Sequence, residues 1–278
     1  MRVADVRAGC RWATPLMTFV AAAQFGLTFG QDIPQSVIDQ ANDYANSAGS
    51  GFPPTVPIRQ SSNPASGAYA TIGPDENGNL TVTIYPASFA FMNVPGHWEL
   101  DFSHPFFLGL LINTLIHESL HSCGDDGGTW GGGDACGGGK EVFCCTHIMI
   151  ANAELALSCQ LVAALKAAYA GEGDEHEKCV LGEIIKGLCK AIKALESIYN
   201  TKKGADAAWD CKNNQPPCVP PLDCPDEVKV PPGVQGATTA DQAYPPDPNN
   251  PDPDFRNVIG KCNECDCDVC QHPPGDCP

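Results

Sequence analysis

The stretch Phe106-Phe107-Leu108-Gly109-Leu110-Leu111-Ile112-Asn113-Thr114-Leu115-Ile116-His117-Glu118-Ser119-Leu120-His121 decides how this chain is read. From Phe106 to Ile116 it is apolar almost throughout, so a helix here has no polar face and belongs inside a core. Ser103 and Pro105 stand near its start and Gly124 just beyond its end, as helix boundaries require. His117 and His121 are four residues apart, which puts both imidazoles on one helix face within reach of one ion. Zn²⁺ accepts two histidine nitrogens well and needs a third protein ligand. Glu118 follows the first histidine, where a carboxylate can take a proton from an attacking water.

Upstream, Asp32-Ile33-Pro34-Gln35 reads as the start of a helix running to about Ala48, with Asp32 as its cap and Gly49-Ser50-Gly51 as its stop. A proline- and serine-rich stretch to about Gly67 reads as loop. Ala68–Ile72 and Leu80–Tyr85 read as two strands joined by the turn residues Gly73–Asn79, a β-hairpin. Downstream, residues 124–139 form a glycine-rich loop carrying Asp125, Asp126 and Asp134. It reads as a surface excursion, with a mobile lid or a calcium loop as the functional alternatives. Glu141 to about Ala170 reads as a long helix, and Asp174 to Lys203 as another. In the latter Asp174 and Glu177 form a capping box, and Leu181, Ile184, Ile185, Leu188, Ile192 and Leu195 form a core stripe.

The chain has 278 residues and a formal net charge of −17. A chain so acidic repels phosphate, which excludes nucleic-acid binding and disfavours an anionic membrane surface. Residues 1–30 place Arg2, Arg7 and Arg11 before the apolar run Ala13–Ala23. This is the layout of a secretory signal peptide, with cleavage after Ala23 or Gly30. No other segment reads as a membrane span. Sixteen cysteines fit an exported, disulfide-bearing chain. Loss of Cys10 with the leader leaves an odd number, so one is free, binds metal or pairs between chains.

The His117-Glu118-Ser119-Leu120-His121 motif, its apolar helix and the strand Leu80–Tyr85 before it resemble the zincin metallopeptidases. The resemblance covers that helix, that strand and the order of the elements around them. It implies a zinc-dependent peptidase acting on protein or peptide, with His117 and His121 as zinc ligands and Glu118 as general base. It also implies that Leu80–Tyr85 is an edge strand that holds substrate backbone. The third ligand separates the subfamilies. The metzincin pattern has Gly124 in place but Gly127 where its last histidine belongs. The aspzincin pattern has Gly128-Thr129, but Asp134 falls two residues late. A gluzincin-like ligand is Glu141, twenty residues after His121 at the start of the next helix. Glu154, His147 and Asp134 are the alternatives. Tyr85, His97 and His147 are candidate donors to an oxyanion.

From about Cys211 the composition turns to proline and cysteine. The terminal spacing Cys262-x-x-Cys265-x-Cys267-x-x-Cys270 suits either a disulfide knot or a zinc ligand set. Cys159, Cys179 and Cys189 lie in helices and can staple the two long helices together. The expected architecture is α+β. A mainly helical zincin-like domain with a small hairpin sheet spans 31–210, and a disulfide-rich irregular tail spans 211–278. The competing reading is a secreted cysteine-rich binding or structural protein whose motif is vestigial. Zinc content tells the two apart.

Overall fold

The computed structural model describes residues 32–61, 68–89, 101–122, 145–201, 204–205, 234–235, 258–275 and 277. The expected leader 1–30, the glycine-rich loop 124–139 with Asp134, His97 and Glu141 lie outside the described residues. The architecture is mixed α+β and mostly helical, with a small three-stranded sheet. In chain order it runs α1 (Gln35–Ser47), β1 (Ile58–Gln60), β2 (Ala70–Pro74), β3 (Leu80–Ile84), α2 (Pro86–Phe89), α3 (Pro105–Ser122), α4 (Cys145–Gly171) and α5 (Glu175–Tyr199). There follow β4 (Val234–Gln235), β5 (Lys261–Cys262), a 3₁₀ turn (Asn263–Cys265) and α6 (Asp268–Gln271).

Helix α3 is the centre of the molecule. It packs against α1, α4, α5 and β2. Phe106, Phe107, Leu108, Leu110, Leu111, Ile112, Leu115 and Ile116 are all buried, which is why the helix tolerates apolar residues on every side. The α3–α5 crossing is set by two glycines. A Cβ on Gly187 would fall on the carbonyl oxygen of Phe106, and one on Gly109 on the carbonyl oxygen of Ile184. The two backbones therefore meet with no side chain between them. Ile184, Ile185, Leu188 and Ile192 of the expected α5 stripe are fully buried against this seam.

Asp174 caps α5 as expected, its carboxylate accepting from the backbone N–H groups of His176 (2.8 Å) and Glu177 (3.1 Å). The helix stops at Tyr199, short of Lys203. Asn200 leaves the helical conformation, and its amide holds the C-terminal segment: Nδ2 donates to the Gly260 carbonyl (2.9 Å), and Oδ1 accepts from Ile259 N–H (3.2 Å). At the other end of the chain, Pro34 occupies the α1 N-cap position, and α1 has no side-chain cap. The expected Asp32 cap does not form.

The β2–β3 hairpin forms where expected, in the register Ala70↔Ile84 to Pro74↔Leu80. Its turn closes on Asp75, whose carboxylate accepts from the N–H groups of Asn77 and Asn79, and on Gly78 at φ 82°. The expected edge strand is a central one. Residues 58–60, in the stretch read as loop, form β1 and pair in parallel with β3 (Ile58↔Val82 to Gln60↔Ile84), so the sheet order is β1-β3-β2. Both edges of β3 are occupied, and it cannot receive a substrate strand. Gln60 explains the placement of β1: Oε1 accepts from Ile33 N–H (2.6 Å) and Nε2 donates to the Ile33 carbonyl (2.8 Å), tying β1 to the entry of α1.

The cysteines Cys159, Cys179 and Cys189 do not staple α4 to α5 directly. Among the described residues the disulfides are Cys159–Cys262, Cys179–Cys277, Cys189–Cys265 and Cys267–Cys270. Cys159, Cys179 and Cys189 each take a partner in the C-terminal segment, and Cys267–Cys270 lies within that segment. Val258, Ile259, Cys262 and Cys265 are buried with the helices, so this segment completes the core. Glu196 adds a polar lock, with Oε1 accepting from Cys262 N–H at 2.8 Å.

Candidate metal centre

The last turn of α3 carries His117, Glu118 and His121. The loop that ends α1 buttresses this turn. Phe52 and Asn42 exchange two hydrogen bonds, Asn42 Nδ2 donating to the Phe52 carbonyl (2.9 Å) and Phe52 N–H to Asn42 Oδ1 (2.8 Å). Ser50 Oγ then bonds Ser119 Oγ, the middle residue of the motif. Ser119 is buried, and its hydroxyl also donates to the Ile116 carbonyl (2.9 Å).

The two imidazoles meet edge to face, with ring centroids 4.8 Å apart and planes inclined by 67°. Their Nε2 atoms are 3.1 Å apart. Two nitrogens each about 2.0–2.1 Å from one tetrahedral zinc stand roughly 3.4 Å from one another. The pair is thus close to the spacing that an ion between them requires. His121 is buried, and the His117 side chain keeps 23% of its surface exposed.

Glu154, reaching in from α4, settles which face of His117 is used. Its Oε2 lies 2.7 Å from His117 Nδ1. The carboxylate accepts, so Nδ1 is the donor, and in the neutral ring the lone pair is left on Nε2, facing His121. Glu154 was one of the alternative third ligands. On the Nδ1 side it faces away from the Nε2 pair, because the two ring nitrogens point in divergent directions. It is placed to orient a ligand, the arrangement in which a carboxylate fixes the tautomer and raises the basicity of a metal-binding histidine.

Electrostatics within this cluster are strongly coupled. Burial acts to lower the pKa of His117, but the Glu154 charge and hydrogen bond, with help from Glu118, push it up to about 9. Burial raises Glu118 to about 7; His117 pulls it down and Glu154 pushes it up. In the ion-free protein at neutral pH, His117 is therefore an imidazolium that donates to Glu154 through Nδ1 and to His121 through Nε2. Tyr199, the last residue of α5, is buried, and its pKa is raised by that burial and by the Glu154 charge.

Among the described residues no group of three or more His, Cys, Asp or Glu side chains is arranged to hold one metal ion. The expected third ligand Glu141 lies outside the described residues, as does the side chain of His147. Of the candidate oxyanion donors, Tyr85 has its hydroxyl 3.1 Å from Thr71 Oγ1 on the exposed face of the sheet. Sequence reasoning missed Tyr199 as a neighbour of the site and the contact of Glu154 with His117 Nδ1. The burial of Tyr199 was legible, since it continues the α5 stripe four residues after Leu195. Glu154 is 37 residues from His117, and no local pattern joins them. No protein family, curated protein or solved structure matches the chain.

Proposed function

We propose that this chain is a secreted zinc-dependent peptidase of zincin type, with His117 and His121 as two of the zinc ligands, Glu141 as the third and Glu118 as general base. The observation that carries the reading is the convergent Nε2 pair of His117 and His121, 3.1 Å apart, with Glu154 on the opposite nitrogen of His117. A solvated pair of helix-end histidines has no need of a buried carboxylate behind one ring. When bound, zinc supplies Lewis acidity, polarising the scissile carbonyl and making water a better acid.

The protein residues divide the remaining work. Glu154 holds the His117 ring so that Nε2 presents its lone pair. Glu118, with a pKa of about 7, both accepts a proton from water and returns it to the leaving amine near neutral pH. Since β3 has no free edge, substrate is not held there by strand addition. The four disulfides among the described residues fit an oxidising, extracytoplasmic setting.

The test is zinc content and peptide hydrolysis of the purified chain. About one zinc per chain, lost in His117→Ala, together with hydrolysis abolished in a zinc-retaining Glu118→Ala, is the expected result. Hydrolysis that survives Glu118→Ala overturns the mechanism. A chain that binds no zinc is instead the alternative, a secreted cysteine-rich binding or structural protein.

A further inference from the structure

The C-terminal segment brings four sulfurs of two disulfides together. Cys189–Cys265 joins α5 to the 3₁₀ turn, and Cys267–Cys270 bridges the N-terminus of α6. Beyond these bonds, Cys270 Sγ lies 3.5 Å from Cys189 Sγ, at van der Waals contact between the two disulfides. The two pairs differ in access. Cys189 and Cys265 are each 3% exposed, whereas Cys267 and Cys270 are only half-buried. A soluble thiol can therefore reach the outer disulfide and is barred from the inner one. Thiol–disulfide exchange requires a sulfur to touch the disulfide it attacks, and Cys270 already touches Cys189.

We propose that Cys189, Cys265, Cys267 and Cys270 form a two-disulfide exchange site, with Cys267–Cys270 as the entry for a dithiol reductant and Cys189–Cys265 as the internal acceptor. The steps balance. A dithiol reduces Cys267–Cys270 to two thiols and leaves as its own disulfide. The Cys270 thiolate attacks Cys189 Sγ, a Cys189–Cys270 bond forms, the Cys189–Cys265 bond breaks, and Cys265 departs as the thiolate. The electron pair that entered at the exposed disulfide ends on Cys265 and Cys267, and α5 stays tethered to the segment throughout. The attachment point moves five residues along the chain, from Cys265 to Cys270. The partner class is a small dithiol or a protein dithiol of the same compartment. This inference does not depend on the zinc site.

The experiment treats the oxidised full chain with a stoichiometric amount of dithiothreitol over time. Samples are quenched with acid, alkylated in denaturant and cleaved after acidic residues. Glu264, Asp266 and Asp268 then separate Cys265, Cys267 and Cys270 onto different peptides. The expected species has Cys265 and Cys267 alkylated and Cys189 cross-linked to Cys270. Alkylation of Cys267 and Cys270 together, with Cys189–Cys265 intact at every time point, overturns the proposal. In Cys270→Ser, reduction of Cys189–Cys265 should slow by at least about tenfold, since the internal attack is gone. An unchanged rate in that variant also overturns it.

Discussion

Glu154 holds no place in the motif, yet the geometry of His117 depends on it. Glu154→Gln keeps the size of the side chain and removes its charge, so zinc affinity should fall by about 10–100-fold with the fold intact. Competition with a chromophoric chelator measures this, and unaltered affinity would exclude an orienting role. The pKa shifts give a second prediction, on the zinc-free protein. Glu118 is raised from 4.5 to about 7 and His117 from 6.5 to about 9. In both, the protonated form is favoured by folding. The stability they contribute is complete below the unfolded values and is lost as pH rises through about 7 and then about 9. Each shift corresponds to a change on the order of 3 kcal/mol. Denaturant unfolding in excess chelator should therefore show stability falling from pH 5 to pH 9. Glu118→Gln should remove the part of the fall near neutral pH and move the His117 part to lower pH, because the Glu118 charge helps to raise that imidazole.

Among the elements, those with long uninterrupted patterns were legible and those made by a partner were not. The apolar run Phe106–Ile116, the α5 stripe and the strand-forming run Leu80–Ile84 each read correctly as regular elements, the first two because burial repeats along the helix. β1 was not legible: Ile58-Arg59-Gln60 is too short to show a period, and its pairing depends on the Gln60 contacts with Ile33. The mistaken edge role of β3 followed from that omission. The α3–α5 crossing carries a prediction of its own. Gly187→Ala puts a methyl group against the Phe106 carbonyl, backbone against backbone, where no rotamer change gives relief. A loss of about 3 kcal/mol in unfolding free energy is expected, whereas the same change at an exposed helix position raises stability by about 0.5–1 kcal/mol. Equal effects at the two positions would show that the helices do not meet at this seam.

For the whole molecule, composition foretold the disulfides but not their pattern, because cysteine spacing does not determine connectivity. The arrangement makes the segment 258–277 the clasp of the helical core. The Cys159–Cys262 bond closes a separation of 103 residues, which in the chain-entropy account restrains the unfolded state by about 4–5 kcal/mol. Cys159→Ala with Cys262→Ala should lower the unfolding free energy by about 2–5 kcal/mol, read by denaturant melts, and should loosen α4 where Glu154 is based. The same connectivity sets an order of events while the chain is being made. Cys159, Cys179 and Cys189 are synthesised 103, 98 and 76 residues before the cysteines they finally join. At about 5–20 residues per second, that is a wait on the order of 4–20 s in which these three can meet one another but not their final partners. The nascent protein thus passes through a period when the final partners of these cysteines do not yet exist, and any cross-link made among the three in that interval has to be reshuffled once the clasp arrives.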